Sequence, residues 1–124
     1  RYDDQANIIA LPCPELVKII ERGIVEGPEL DEHLAQLFAP FRYLKVDSVV
    51  LGCTHYPHIK EAVSKAFDHK AVIFDGGSGT ARETKRRLES IGMLNDQTQK
   101  GELHIINTLG TKEIMDLTYF LINR

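Results

Sequence analysis

No apolar run in this sequence approaches the roughly 18 consecutive residues that a membrane-spanning helix needs, and no charged-then-apolar signal segment stands at its start. Neither a membrane span nor a secretory leader is expected, and a cytoplasmic location is. Positive charge is also not in excess: 15 Lys and Arg against 18 Asp and Glu leave a net charge of −3. A nucleic-acid partner normally requires a clustered basic surplus. The one basic cluster, Lys85-Arg86-Arg87 after Arg82, lies among Glu83 and Glu89 in a helical pattern, as a solvated helix face does. Cysteine is scarce too. Cys13 and Cys53 make no disulfide framework, so free thiols in a reducing compartment are expected. Repeats and low-complexity tracts are missing. The chain opens on Arg1 and not on methionine, which fits a segment of something longer.

What is present is an ordinary globular composition, 43% apolar and 27% charged over 124 residues, enough to bury about two thirds of the unfolded surface around a modest core. Short apolar runs alternate with amphipathic stretches. Ile8 to Leu11 reads as a β-prone run closed by Pro12-Cys13-Pro14, and Glu15 to Arg22 as a short helix stopped at Gly23. After a break at Gly27-Pro28, Leu30, Leu34, Leu37, Phe38 and Phe41 keep helical spacing to about Leu44, with Pro40 a point of kinking. Val49 to Leu51 reads as a strand. Pro57 suits the first turn of a helix that runs to about Phe67 with Ile59, Val63 and Phe67 on one face. Ala71 to Phe74 is a second strand, followed by a turn at Asp75-Gly76-Gly77. Ser78 is placed to cap a helix to about Ile91 with Ala81, Thr84, Leu88 and Ile91 inward. A polar loop from Met93 to Gly101 leads to a third strand, Leu103 to Ile106, and a last helix, Lys112 to Ile122, capped by Thr111. This alternation predicts an α/β fold, a parallel sheet flanked by helices.

Ligands of open parallel sheets bind beyond the carboxyl ends of the strands, where Gly52-Cys53-Thr54-His55-Tyr56-Pro57 falls. Gly52 lets the backbone turn with no Cβ in the way, so another group can come close. The start of the following helix offers N–H groups and a partial positive charge, which favour a bound carboxylate and an ionised thiol. His55 can take or give a proton near neutral pH. A cysteine is most often a structural thiol, and its placement here is what argues otherwise for Cys53. Cys53, His55 and His58 could approach one metal ion, but no second cysteine pair lies nearby and a structural zinc site wants four ligands, so no metal is expected. His33, His69 and His104 are scattered and read as surface or core-edge residues.

Val49-Val50-Leu51-Gly52-Cys53-Thr54-His55-Tyr56-Pro57 resembles the second signature of the glutamate racemases. The resemblance extends over the chain. Pro12-Cys13-Pro14 and Ile19-Ile20-Glu21-Arg22-Gly23 are similar to the helix bearing a catalytic-site glutamate, Phe74-Asp75-Gly76-Gly77 to the strand and Asp turn that lead back to the other domain, and His104 to Ile122 to the closing strand and helix. It implies that residues 1–75 are most of the family's second α/β domain, less its opening strand and helix. Residues 76–124 then return to the first domain, and the N-terminal half is absent.

For activity the resemblance implies racemisation of glutamate without any cofactor, one thiolate removing the α-proton and a second thiol returning a proton on the opposite face. Cys53 matches one of the two cysteines. Thr54 and His55 would bind substrate or assist Cys53, and Glu21 would orient or tune His55; a carboxylate beside an imidazole fixes its tautomer and favours its charged form. The other cysteine belongs to a domain with Asp-Ser and Cys-Asn-Thr motifs that are not in this sequence. Cys13, between two prolines at a position the family does not use for catalysis, reads as structural, and Asp75 as a turn or helix-start residue. The implied partners are glutamate and the missing half, with a homodimer left open, and the implied role is D-glutamate supply for peptidoglycan. Two competing readings remain. Another racemase or decarboxylase of the superfamily, acting on aspartate, a hydantoin or malonate, would share Gly-Cys-Thr but less readily His55-Tyr56-Pro57, and a non-catalytic binding module derived from such an enzyme would explain one thiol alone. Gly77-x-Gly79 has Arg82 where a nucleotide fingerprint needs its third glycine.

Overall fold

The computed structural model describes residues 6–123, so the opening Arg1 lies outside the described residues. Helix α1 spans Pro14–Glu21, with a proline in its first turn where the missing N–H costs no hydrogen bond. It ends as the sequence predicts. Gly23 takes φ of +80°, its amide donates to the Ile20 carbonyl at 2.8 Å, and Ile24 donates to Ile19 at 3.3 Å, the paired closure of a left-handed helix cap.

Helix α2 spans Pro28–Phe38 and buries Leu30 and Leu34. It stops short of the expected Leu44. Pro40 has no N–H to donate back and its ring clashes with the carbonyl four residues earlier, so the chain tightens into a 3-10 turn at Ala39–Phe41. Strand β1, Ser48–Val50, leads into a 3-10 turn at Tyr56–Ile59, and this leads into helix α3, Lys60–Ala66. Strand β2, Val72–Phe74, then pairs in parallel with β1 in the register Ser48↔Val72, Val49↔Ile73 and Val50↔Phe74. The α/β class with a parallel sheet is therefore correct. Helix α4 covers Gly77–Ser90 and helix α5 covers Lys112–Ile122, where the Thr111 side chain accepts from the Ile114 amide as expected of a cap. Ser78 does not cap α4. It lies inside the helix, and the Asp75 carboxylate takes the Gly77 amide at 3.1 Å instead.

The core gathers Leu16, Ile19 and Ile20 of α1, Val25 of the loop that follows it, Leu30 and Leu34 of α2, and Leu51, Ile59 and Val63 around β1 and α3. Ile20, Leu30, Leu34 and Ile59 are almost fully buried, and each such side chain contributes about 1.5–3 kcal/mol on burial. Among the described residues the sheet is covered on one face only: Val49 and Ile73 pack against the core while Val50, Val72 and Phe74 are exposed. Neither Ile8 to Leu11 nor Leu103 to Ile106 forms a strand. Their β-prone side chains have no strand to pair with among the described residues, and β-propensity is decided by neighbours more than by the backbone. The expected inner face of α4 is likewise uncovered, Ala81, Thr84, Leu88 and Ile91 all being exposed, because periodicity marks an apolar face without supplying its neighbour.

These burials set an order of mutational cost. Leu34→Ala should lower the unfolding free energy by about 2–5 kcal/mol, whereas Leu88→Ala on α4 should stay within about 0.5 kcal/mol of the parent. Urea unfolding of both variants of the 124-residue chain measures this, and an equal loss at Leu88 would mean that α4 is packed.

Candidate active site

Because β1 and β2 run parallel, Gly52-Cys53 and Asp75 leave the sheet at the same end. The Leu51 amide donates to the Phe74 carbonyl at 2.8 Å and the Leu51 side chain is buried, so the backbone is held up to the residue before Gly52. Beyond it the chain loops through Thr54 and winds into the 3-10 turn, with Tyr56 donating to the Cys53 carbonyl at 3.3 Å and His58 to the His55 carbonyl at 3.2 Å. The helix start is thus a tight turn whose Tyr56 and His58 amides are already bonded, not the fan of open N–H groups expected. Gly52 differs from expectation too. Its φ is not in the left-handed range and a Cβ there would meet nothing within 4 Å, so the turn does not demand glycine, and the space above it is open.

The loop brings His55 between the two residues singled out with it. Its Nδ1 lies 3.6 Å from Cys53 Sγ and its Nε2 lies 3.3 Å from Glu21 Oε1 at the end of α1. A neutral ring donating from Nε2–H to the carboxylate has Nδ1 free to accept the thiol proton, and Glu21 then faces the charge that the ring acquires. The line can shuttle one proton on and off sulfur. With 31% of the His55 side chain and 56% of the Glu21 side chain exposed, water screens the pair, and its value is in orientation more than in energy. Thr54 is exposed beside Cys53. Grooves of about 500, 460 and 630 Å³ elsewhere on the surface include none of Cys53, His55 and Glu21.

Cys13 is placed otherwise. Its thiol donates to the Leu11 carbonyl at 3.1 Å, and burial pushes its pKa up, which keeps the sulfur protonated. Among the described residues no three His, Cys, Asp or Glu side chains stand where they could hold a metal ion. Two contacts were not legible. Tyr56 donates its hydroxyl to the Cys13 carbonyl at 2.9 Å across 43 positions, and Lys60 pairs with Asp75 at 2.7 Å. A part-buried tyrosine needs a partner for its hydroxyl, which is the only signal that pointed to the first. Lys85, Arg86 and Arg87 are exposed, with Glu83 between Arg86 and Arg87. No described helix is long and apolar enough to cross a membrane.

No protein-family model matches the chain. It is 43% identical over 122 residues to a glutamate racemase of Clostridium botulinum and 42% identical over 122 residues to one of Clostridium perfringens, in each case over 98% of this chain and 47% of the relative. The chain thus spans about half the length of the curated relatives it matches, and the resemblance read from its motifs holds over nearly all of it. Among solved structures, a glutamate racemase from Francisella tularensis in complex with D-glutamate has the same fold. It aligns with a TM-score of 0.70 at 22% identity, over 88% of this chain and 40% of that one.

Asp75 supplies the pH-dependent part of this end of the sheet. The hydrogen bond from Lys60, then that from the Gly77 amide, holds its carboxyl below the ordinary carboxylate value. A lowered folded pKa gives a stabilisation that is present above the unfolded value of about 3.9 and is lost as pH falls through the folded one. Asp75→Asn should therefore be less stable than the parent at pH 6 and should converge on it as the pH falls below about 4. Urea midpoints measured across that range check this, and a gap that widens in acid would contradict it.

Proposed function

We propose that this chain is the half of a glutamate racemase that carries one of two catalytic thiols, and that the full-length protein interconverts L- and D-glutamate without a cofactor. The observation that carries the reading is the line Cys53–His55–Glu21, assembled from residues 34 positions apart. Similarity at 42–43% identity to named glutamate racemases supports it.

In this reading His55 Nδ1 takes the Cys53 proton and Glu21 holds the ring by Nε2. The Cys53 thiolate removes the α-proton of glutamate bound above Gly52, and Thr54 at the rim binds the substrate. A thiol from the half of the protein outside this chain returns a proton to the other face, so the configuration inverts. In the reverse direction Cys53 is the donor. Residues 76–124 would form the segment that runs back to that other half. The product would supply D-glutamate to peptidoglycan synthesis in the cytoplasm, where thiols stay reduced; both cysteines are free here.

The decisive comparison is a pair of substitutions in the full-length enzyme. Cys53→Ser should lose about 10²–10⁴ in racemisation rate in both directions and keep its melting temperature. Cys13→Ser should keep the rate and melt lower. Near-normal turnover in Cys53→Ser would remove Cys53 from the reaction. The 124-residue chain alone, having one thiol at the site, should leave the circular dichroism of L-glutamate unchanged over hours, and a sustained decay would show that a second cysteine is not required.

A further inference from the structure

Consecutive residues of the turn after β1 meet opposite ends of α1. Eight residues of helix are about 12 Å long. At the N-terminal end the Tyr56 hydroxyl donates to the Cys13 carbonyl at 2.9 Å, and the same carbonyl accepts the Leu16 amide at 3.2 Å, so its two lone pairs go to one phenol and one helix amide. At the C-terminal end His55 Nε2 meets Glu21 at 3.3 Å. The turn straddles the helix.

We propose that Tyr56 is a positioning residue for the proton line, its hydroxyl fixing where α1 lies along its own axis so that Glu21 arrives at His55. This rests on the racemase reading of Cys53, His55 and Glu21. Leu16, Ile19 and Ile20 hold α1 against the core. Such burial is non-directional, setting how closely the helix approaches but leaving its sliding along the axis weakly determined. The Glu21 contact cannot supply the missing restraint, since it is a single long hydrogen bond on a mostly exposed side chain. The Tyr56 bond can. It is 2.9 Å long against 3.3 Å for the Glu21 contact, part-buried, and made to a backbone atom at the helix cap. Burial, followed by the nearby Cys13 and Cys53 sulfurs, pushes the phenol pKa up, so it stays a neutral donor over the working range.

The test is made on the 124-residue chain with Tyr56→Phe, which keeps the ring, beside Glu21→Ala. Long-range ¹⁵N spectra of His55 read which ring nitrogen carries the proton, a signature that general loosening does not move. Peptide-resolved alkylation by iodoacetamide gives the reactivity of Cys53 separately from that of Cys13. The parent should keep its proton on Nε2. Tyr56→Phe should give a tautomer mixture like that of Glu21→Ala, with Cys53 alkylation at neutral pH slower by about 2–10-fold, the worth of one hydrogen bond.

A Tyr56→Phe variant with the parent tautomer and alkylation rate, beside a changed Glu21→Ala, would overturn the positioning role and leave the proton line intact. If Glu21→Ala is also unchanged, the line itself and the functional reading fail together. Loss of cooperative melting in Tyr56→Phe would count against the proposal as well, because the hydroxyl would then be a general stabiliser.

Discussion

The apolar seam between α1 and the turn that follows β1 is the constraint on which the candidate site depends. Leu16, Ile19 and Ile20 from one side and Ile59 from the other are buried in it, and at about 1.5–3 kcal/mol each they outweigh by several-fold any exposed ion pair, worth about 0–1 kcal/mol. Packing therefore decides how closely α1 approaches the Cys53 loop. Polar contacts then choose the orientation. This division explains how a histidine and a glutamate that remain open to water can still present a defined geometry, since neither has to hold the backbone in place.

The same seam accounts for the lopsided sheet. Two parallel strands with α3 crossing between them need a partner on each face, and among the described residues only the face bearing Val49 and Ile73 has one. Val50, Val72 and Phe74 on the other face, Leu88 and Ile91 on α4, and Leu103 and Ile106 beyond it are the side chains whose pattern predicts burial and whose surroundings leave them exposed. Hydrophobic pattern is a property of sequence; burial is a property of what else is folded around it.

That difference separates what was legible from what was not. Features closed within a few residues were readable: the Gly23 end of α1, the Thr111 cap, Pro57 in the turn at Tyr56, and the placement of Cys53 just after a strand. Features that need a distant partner were not. The strands expected at Ile8 to Leu11 and Leu103 to Ile106 lacked one, and the helix expected to run to Leu44 yielded to Pro40. Of the contacts that make the site, Cys53 to His55 follows from a spacing of two. Glu21 to His55 was expected only through the family resemblance, and Tyr56 to Cys13 was not expected at all.

The two cysteines show how little of reactivity resides in residue type. Each is partly buried and free. Cys13 gives its proton to a backbone carbonyl, which cannot accept it outright, and burial disfavours the thiolate, so its environment stabilises the neutral thiol alone. Cys53 faces an imidazole nitrogen that can accept a proton, with a carboxylate behind it to balance the resulting charge. Both protonation states of that sulfur have a partner, and a group that must give up a proton in one direction of a reaction and return it in the other needs both. The proposed reversible proton transfer at carbon is therefore assigned to Cys53 and not to Cys13, through a line whose third member, Glu21, is brought to His55 by the fold.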